Sequence, residues 1–87
     1  MRLDKYLKVS RLIKRRTVAK DFAENDKVMI NGRLAKPSTE LKIGDQLVIQ
    51  LGNRRLQIEV VALNETARAN EASGLYRVIS DEMVPRD

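Results

Sequence analysis

Cysteine and histidine are both missing from this chain of 87 residues. Without thiolate or imidazole there is no disulfide staple, no zinc site of the usual ligand types and no ready proton shuttle at neutral pH, so stability must come from packing alone. Tryptophan is absent too, and Tyr6, Phe22 and Tyr76 are the only aromatic residues. Single-strand binders display several aromatics for base stacking, and here two of the three fall on expected core stripes, so stacking is not the main mode of any nucleic-acid recognition. No apolar run approaches the ~20 residues that cross a bilayer as a helix. The first residues are charged at Arg2, Asp4, Lys5 and Lys8, with no apolar segment or small-residue cleavage site, which predicts a cytoplasmic protein, neither secreted nor membrane-spanning. The length suits one domain and excludes most catalytic architectures.

What the chain has in excess is positive charge. Seventeen Lys and Arg against twelve Asp and Glu give a net charge of +5, which favours a polyanionic partner. The excess is local. Residues 1–20 hold Arg2, Lys5, Lys8, Arg11, Lys14, Arg15, Arg16 and Lys20 against the single Asp4, residues 21–63 balance, and residues 64–87 are acidic overall.

A basic segment folds into a face, rather than trailing as an arm, when apolar residues recur at helical spacing. Leu3 and Leu7 stand four apart with Tyr6 between, and Val18, Ala19, Phe22 and Ala23 mark a second stripe. Two short helices follow, the second over about Lys14 to Glu24, with Leu12 and Ile13 buried in the corner between them and Asn25-Asp26 closing the second. Beyond them the period falls to two. Val28-Met29-Ile30 and Arg33 to Lys36 flank Asn31-Gly32, the strongest dipeptide signal for a type I′ hairpin. Gln46 to Leu51 and Leu56 to Val61 read as a second hairpin around Gly52 to Arg55. Residues 64–73 are polar and Ala-rich, either a short helix or a mobile connection. Leu75 to Ile79 reads as a last strand, and Val84 to Asp87 as a frayed end. The predicted fold is α+β, two N-terminal helices packed on a small, highly bent, mostly antiparallel sheet, with residues 1–63 as the domain and 64–87 as a C-terminal extension.

Catalytic chemistry finds no support. Asp21, Glu24 and Asp26 flank a helix end without metal-ligand spacing or an apolar pocket, Asn31-Gly32 and Gly44-Asp45 are turn chemistry rather than phosphate loops, and no serine or threonine has a base to activate it. No cofactor or metal ion is expected, and no enzymatic activity. The run Lys14-Arg15-Arg16 is different, because cations at a helix start oppose its dipole and call for an anion. Arg16 and Lys20 lie four apart on one face, and Arg11, Arg15 and Arg16 lie near the inter-helix corner, which makes a compact cationic patch. Asp4 is suited to orient an arginine of that patch or to cap the first helix. With few aromatics and no long recognition helix for a DNA groove, phosphate-led recognition of structured RNA is the expectation.

The order of several blocks points to a family: Arg2-Leu3-Asp4-Lys5-Tyr6-Leu7, then Lys14-Arg15-Arg16-Thr17-Val18-Ala19-Lys20, Val28-Met29-Ile30-Asn31-Gly32, Pro37-Ser38 and Lys42-Ile43-Gly44-Asp45. They resemble the S-four RNA-binding domain over about residues 1–51, with Arg15 where a serine is usual and Asn25-Asp26 where a glycine usually ends the second helix. The run from Met1 to Thr17 and the small size resemble the RqcP family of stand-alone members, similar also to the heat-shock protein of fifteen kilodaltons. The resemblance implies an alpha-L RNA-binding motif and a role in ribosome-associated quality control: a monomer that binds obstructed large ribosomal subunits, through rRNA and tRNA, and supports alanine tailing of stalled chains with RqcH. It places Arg2 and Arg16 at RNA-contacting positions, Lys5, Arg11, Lys14, Arg15 and Lys20 as further phosphate contacts, and Asp4 as the motif acid. Two alternatives stay open: a general large-subunit recycling factor of the heat-shock type, and a protein-interaction module using the strand at Leu75 to Ile79 or the sheet edge.

Overall fold

The four-residue spacing of Leu3 and Leu7 becomes helix α1, Leu3–Val9, which buries Leu3, Tyr6 and Leu7 completely. The computed structural model describes residues 1–83, so the expectation for Val84 to Asp87 lies outside the described residues. The first amides of a helix lack partners within it. Here the Leu3 and Asp4 amides donate to the carbonyls of Thr39 and Pro37, at 2.8 and 3.2 Å. Helix α1 ends at Ser10, whose hydroxyl donates to the Leu7 carbonyl, and Arg11 then turns the chain with a left-handed φ of 64°.

Helix α2 spans Arg16–Glu24, two residues later at its start than the sequence predicts. Lys14 and Arg15 belong to the connection instead, and Arg15 is extended at the N-cap position with no side-chain cap. The reason is electrostatic: a first turn disfavours cations, and a start at Arg16 leaves one of the three in it. At the other end the Asn25 side-chain amide donates to the Asp21 carbonyl, Asp26 takes φ 59°, and the Lys27 amide returns to the Phe22 carbonyl. A left-handed residue thus closes the helix without glycine. The buried stripe of α2 is Ala19 and Ala23, with Phe22 partly buried and Val18 exposed, so the predicted stripe is narrower than its four members. Ile13 is buried in the corner and Leu12 partly so.

Five antiparallel strands follow in the order β2-β1-β3-β4-β5: β1 Val28–Ile30, β2 Arg33–Leu34, β3 Gln46–Leu51, β4 Arg54–Val60 and β5 Tyr76–Met83. Asn31 and Gly32, at φ 50° and 83°, make the two-residue turn that pairs Ile30 with Arg33, as a type I′ turn requires. The second hairpin is tighter than predicted, since Leu51 pairs with Arg54 across Gly52-Asn53 alone. Gly52 at φ 63° permits that, so β4 begins two residues early. Strand β2 ends at Leu34 rather than Lys36, where the chain turns at Pro37 toward the start of α1.

The last strand also departs from expectation. Ala72–Leu75 forms a 3-10 turn that buries Ala72 and Leu75, and β5 then runs to Met83, pairing with β4 along its length with a register shift at Gln57/Ile58. Residues 64–71 form turns. The architecture is α+β, two helices and one antiparallel sheet sharing a core of Leu3, Tyr6, Leu7, Val28, Leu47, Ile49, Ile58 and Val60. Leu41, between β2 and β3, is buried in that core.

Candidate nucleic-acid interface

Asp4 is the one charged side chain that is buried among the described residues, only 3% exposed. Its position in the first turn of α1 favours an anion, and its Oδ1 accepts the Lys5 amide at 2.8 Å. Two guanidinium groups reach it from different elements. Arg2, just before α1, places Nε at 3.3 Å, and Arg16, at the start of α2, places Nη2 at 3.5 Å. Both arginine side chains remain 48% exposed. A guanidinium carries five N–H donors, so each arginine keeps most of them for a ligand while the acid fixes its direction. One negative charge beneath two positive ones leaves the surface cationic.

The other predicted contacts are distributed around this pair. Lys20 lies one turn beyond Arg16 on α2, its ammonium 3.9 Å from Glu24 in an exposed and therefore weak pair. Lys5 sits on α1, and its ammonium is 3.7 Å from Glu65 of the connection after β4. Arg11, Lys14 and Arg15 are exposed on the corner between the helices. None of the three forms a salt bridge with another described residue. The structure therefore brings Arg2, Arg16 and Asp4 together, keeps Lys20 on the adjoining turn, sets Arg11, Lys14 and Arg15 at the corner, and pairs Lys5 with Glu65.

The sheet end carries its arginines differently. Arg54 grips Asp81 with two hydrogen bonds of 2.7 and 2.6 Å, and Arg77 reaches Glu59 at 2.8 Å. The hydrogen bond to Arg54, with the attraction of its charge, holds the Asp81 carboxyl below its ordinary range and raises the guanidinium in turn. Arg54 and Arg77 are thus matched, though Arg55 of β4 is in none of the salt bridges, whereas the cations at the helical end are in excess. Among the described residues no group of three or more acidic side chains could hold a metal ion, and no helix is long and apolar enough to cross a membrane.

The sequence reading gave the segment Lys36 to Glu40 no part in the site, although Pro37-Ser38 stands among the blocks that carry the family resemblance. Its carbonyls hold the start of α1, and Arg2 forms a β-bridge with Glu40. This segment therefore positions Arg2. Its signal in the sequence is slight, since a turn's contact with a distant helix end leaves no period to read.

Comparison with known proteins adds to this geometry. Residues 1–47 match the S4 domain family. The RQC P-site tRNA stabilizing factor of Streptococcus pneumoniae is 50% identical over 84 residues, covering 97% of this chain and 96% of its own. Heat shock protein 15 of Escherichia coli is 34% identical over 88 residues, covering 100% of this chain and 66% of its own. A structure of Vibrio cholerae Heat Shock Protein 15, described as trimeric, superposes with a TM-score of 0.85 at 37% identity, over 92% of this chain and 82% of that one.

Proposed function

This chain belongs to the S4 domain family, and from that premise we propose that it is a non-catalytic RNA-binding factor of ribosome-associated quality control. Its helical face engages the phosphates of rRNA and tRNA on an obstructed large ribosomal subunit in the cytoplasm, holding peptidyl-tRNA in the P site while RqcH directs alanine tailing of the stalled chain. The work is positional and requires no bond to be made or broken. The observation that carries this reading is the buried Asp4 beneath Arg2 and Arg16. An acid so placed presets two guanidiniums for bidentate phosphate contacts, which lowers the ordering cost of binding. Arg11, Lys14, Arg15 and Lys20 extend the cationic surface, and Lys5 contributes from its flank.

Arg16→Ala tests this directly. Its side chain is half exposed, so the variant should keep its circular-dichroism melt within about 1 kcal/mol of the parent while losing most co-sedimentation with large subunits through sucrose. Undiminished co-sedimentation would retire the assignment.

The likeness to Heat Shock Protein 15 supports a second reading, a general large-subunit recycling factor that acts without alanine tailing. A deletion strain carrying a non-stop reporter separates the two. Loss of alanine tails supports the first, and intact tails support the second.

A further inference from the structure

Arg2 is the N-cap residue of α1, and its backbone is extended. The segment facing it sets its course. The Leu3 amide donates to the Thr39 carbonyl at 2.8 Å and the Leu41 amide to the Met1 carbonyl at 2.9 Å, and these bonds bracket the bridge between Arg2 and Glu40. The Asp4 amide adds a bond to the Pro37 carbonyl at 3.2 Å. A guanidinium at the end of a long side chain magnifies any rotation of its backbone, so the direction of Arg2 depends on where the carbonyls of Pro37 and Thr39 stand. Those carbonyls belong to a turn that Thr39 closes. Its hydroxyl accepts the Lys36 amide at 2.9 Å, and its own amide donates to the Lys36 carbonyl at 3.0 Å. Both backbone polar groups of Lys36 therefore end on one residue, across Pro37, whose ring fixes φ and removes a competing amide.

We propose that Thr39 is a positioning residue for RNA binding: its hydroxyl closes the turn from Lys36, which holds the Pro37 and Thr39 carbonyls against the start of α1 and so aims the Arg2 guanidinium at phosphate. The inference rests on the RNA-binding reading above and extends the site to a residue that carries no charge. Asp4 steadies the guanidinium end of Arg2, and the turn steadies its backbone. An arginine side chain that stays 48% exposed needs both, because its rotamer freedom is otherwise lost only on binding. Lys36 is exposed and Thr39 half-buried, so water can take the place of the hydroxyl as acceptor and the core does not depend on it.

The test titrates fluorescently labelled protein with purified large ribosomal subunits, after urea melts have shown each variant to be folded. Thr39→Val keeps the shape of the side chain and removes the acceptor, with Thr39→Ala as a second deletion of the hydroxyl. Either should weaken binding about fivefold, the scale of one net hydrogen bond. Thr39→Ser, which keeps the hydroxyl, should stay within about twofold of the parent. The decisive measurement repeats Thr39→Val in an Arg2→Ala protein, where Asp4 retains Arg16 and the Lys5 amide. A residue that acts through Arg2 has little left to act on there, so the further loss should be less than about twofold. A merely structural role would weaken binding by the same factor with or without Arg2, and that result overturns the proposal. So does parental binding by Thr39→Val and Thr39→Ala while Arg2→Ala is weakened, an outcome that leaves the RNA-binding reading standing. If Arg2→Ala and Arg16→Ala both bind as the parent does, the RNA-binding reading itself fails and takes the role of Thr39 with it.

Discussion

Tyr6 shows how one side chain ties the helical end to the rest of the molecule. It is fully buried, and its hydroxyl donates to the Leu75 carbonyl at 2.6 Å. Burial pushes its phenol above the ordinary value near 10, with a smaller contribution from Tyr76. A group that holds its proton more tightly when folded contributes stability that is fully present below the unfolded value and is lost as pH rises through the folded one. The urea midpoint should therefore decline as pH rises above about 10. Tyr6→Phe removes this bond from a carbonyl that also accepts the Val61 and Ala62 amides, and should cost about 1 kcal/mol at neutral pH. The same variant should lose the alkaline dependence that Tyr6 causes. A Tyr6→Phe protein with parental stability at pH 7 and the same alkaline decline would contradict this account of the hydrogen bond. Asp4 poses a related problem at the same scale. A buried carboxylate is costly unless it is paired and hydrogen-bonded, and here an amide and two arginines meet that need.

The helices are joined by an element whose geometry works against its sequence. Arg11 occupies a left-handed conformation that costs an L-residue with a Cβ about 1–2 kcal/mol. Glycine carries no such penalty, though it loses more entropy on folding. Arg11→Gly should therefore stabilise the domain by about 0.5–1 kcal/mol in urea melts, while large-subunit binding falls only slightly, because Arg11 stands outside the Asp4 pair. A destabilised variant would show that the Arg11 side chain makes contacts outweighing its strain. The late start of α2 has the same origin in local chemistry. Helical periodicity identifies the segment but not its first residue: Lys14 and Arg15 fall in the connection and Arg16 opens the helix, which keeps two of the three cations out of the first turn. On the sheet side, Asn31-Gly32 was legible because a type I′ turn needs left-handed residues at both central positions. Leu75 was not, because apolar character alone does not separate the end of a 3-10 turn from the start of a strand.

Over the whole molecule, charge is sorted by position. The sheet end neutralises Arg54 and Arg77 with Asp81 and Glu59, and the helical end holds its cations in excess. A partner led by phosphate contacts should then be released by salt. Displacing counterions from about six phosphates lowers affinity on the order of 10³-fold over a fourfold rise in salt. Titrations of large subunits or hairpin RNA between about 50 and 200 mM salt measure this slope. A flat dependence would contradict phosphate-led binding and favour a protein-interaction role for the exposed apolar residues of β5, Val78, Ile79 and Met83.

By itself the amino-acid order determined the class of partner, the two helices, the first hairpin and the location of the positive charge, because composition and short-range periodicity are local properties that survive in the unfolded chain. It could not determine that Arg2 and Arg16, fourteen positions apart, would meet over one buried acid. Nor could it show that Leu34 to Ser38 would come to face α2 across a groove. Those relations depend on packing: burial of Leu3, Tyr6 and Leu7 fixes the rotation of α1, and the carbonyls of Pro37 and Thr39 fix its end. Distances between residues remote in the chain are set only once the core has closed.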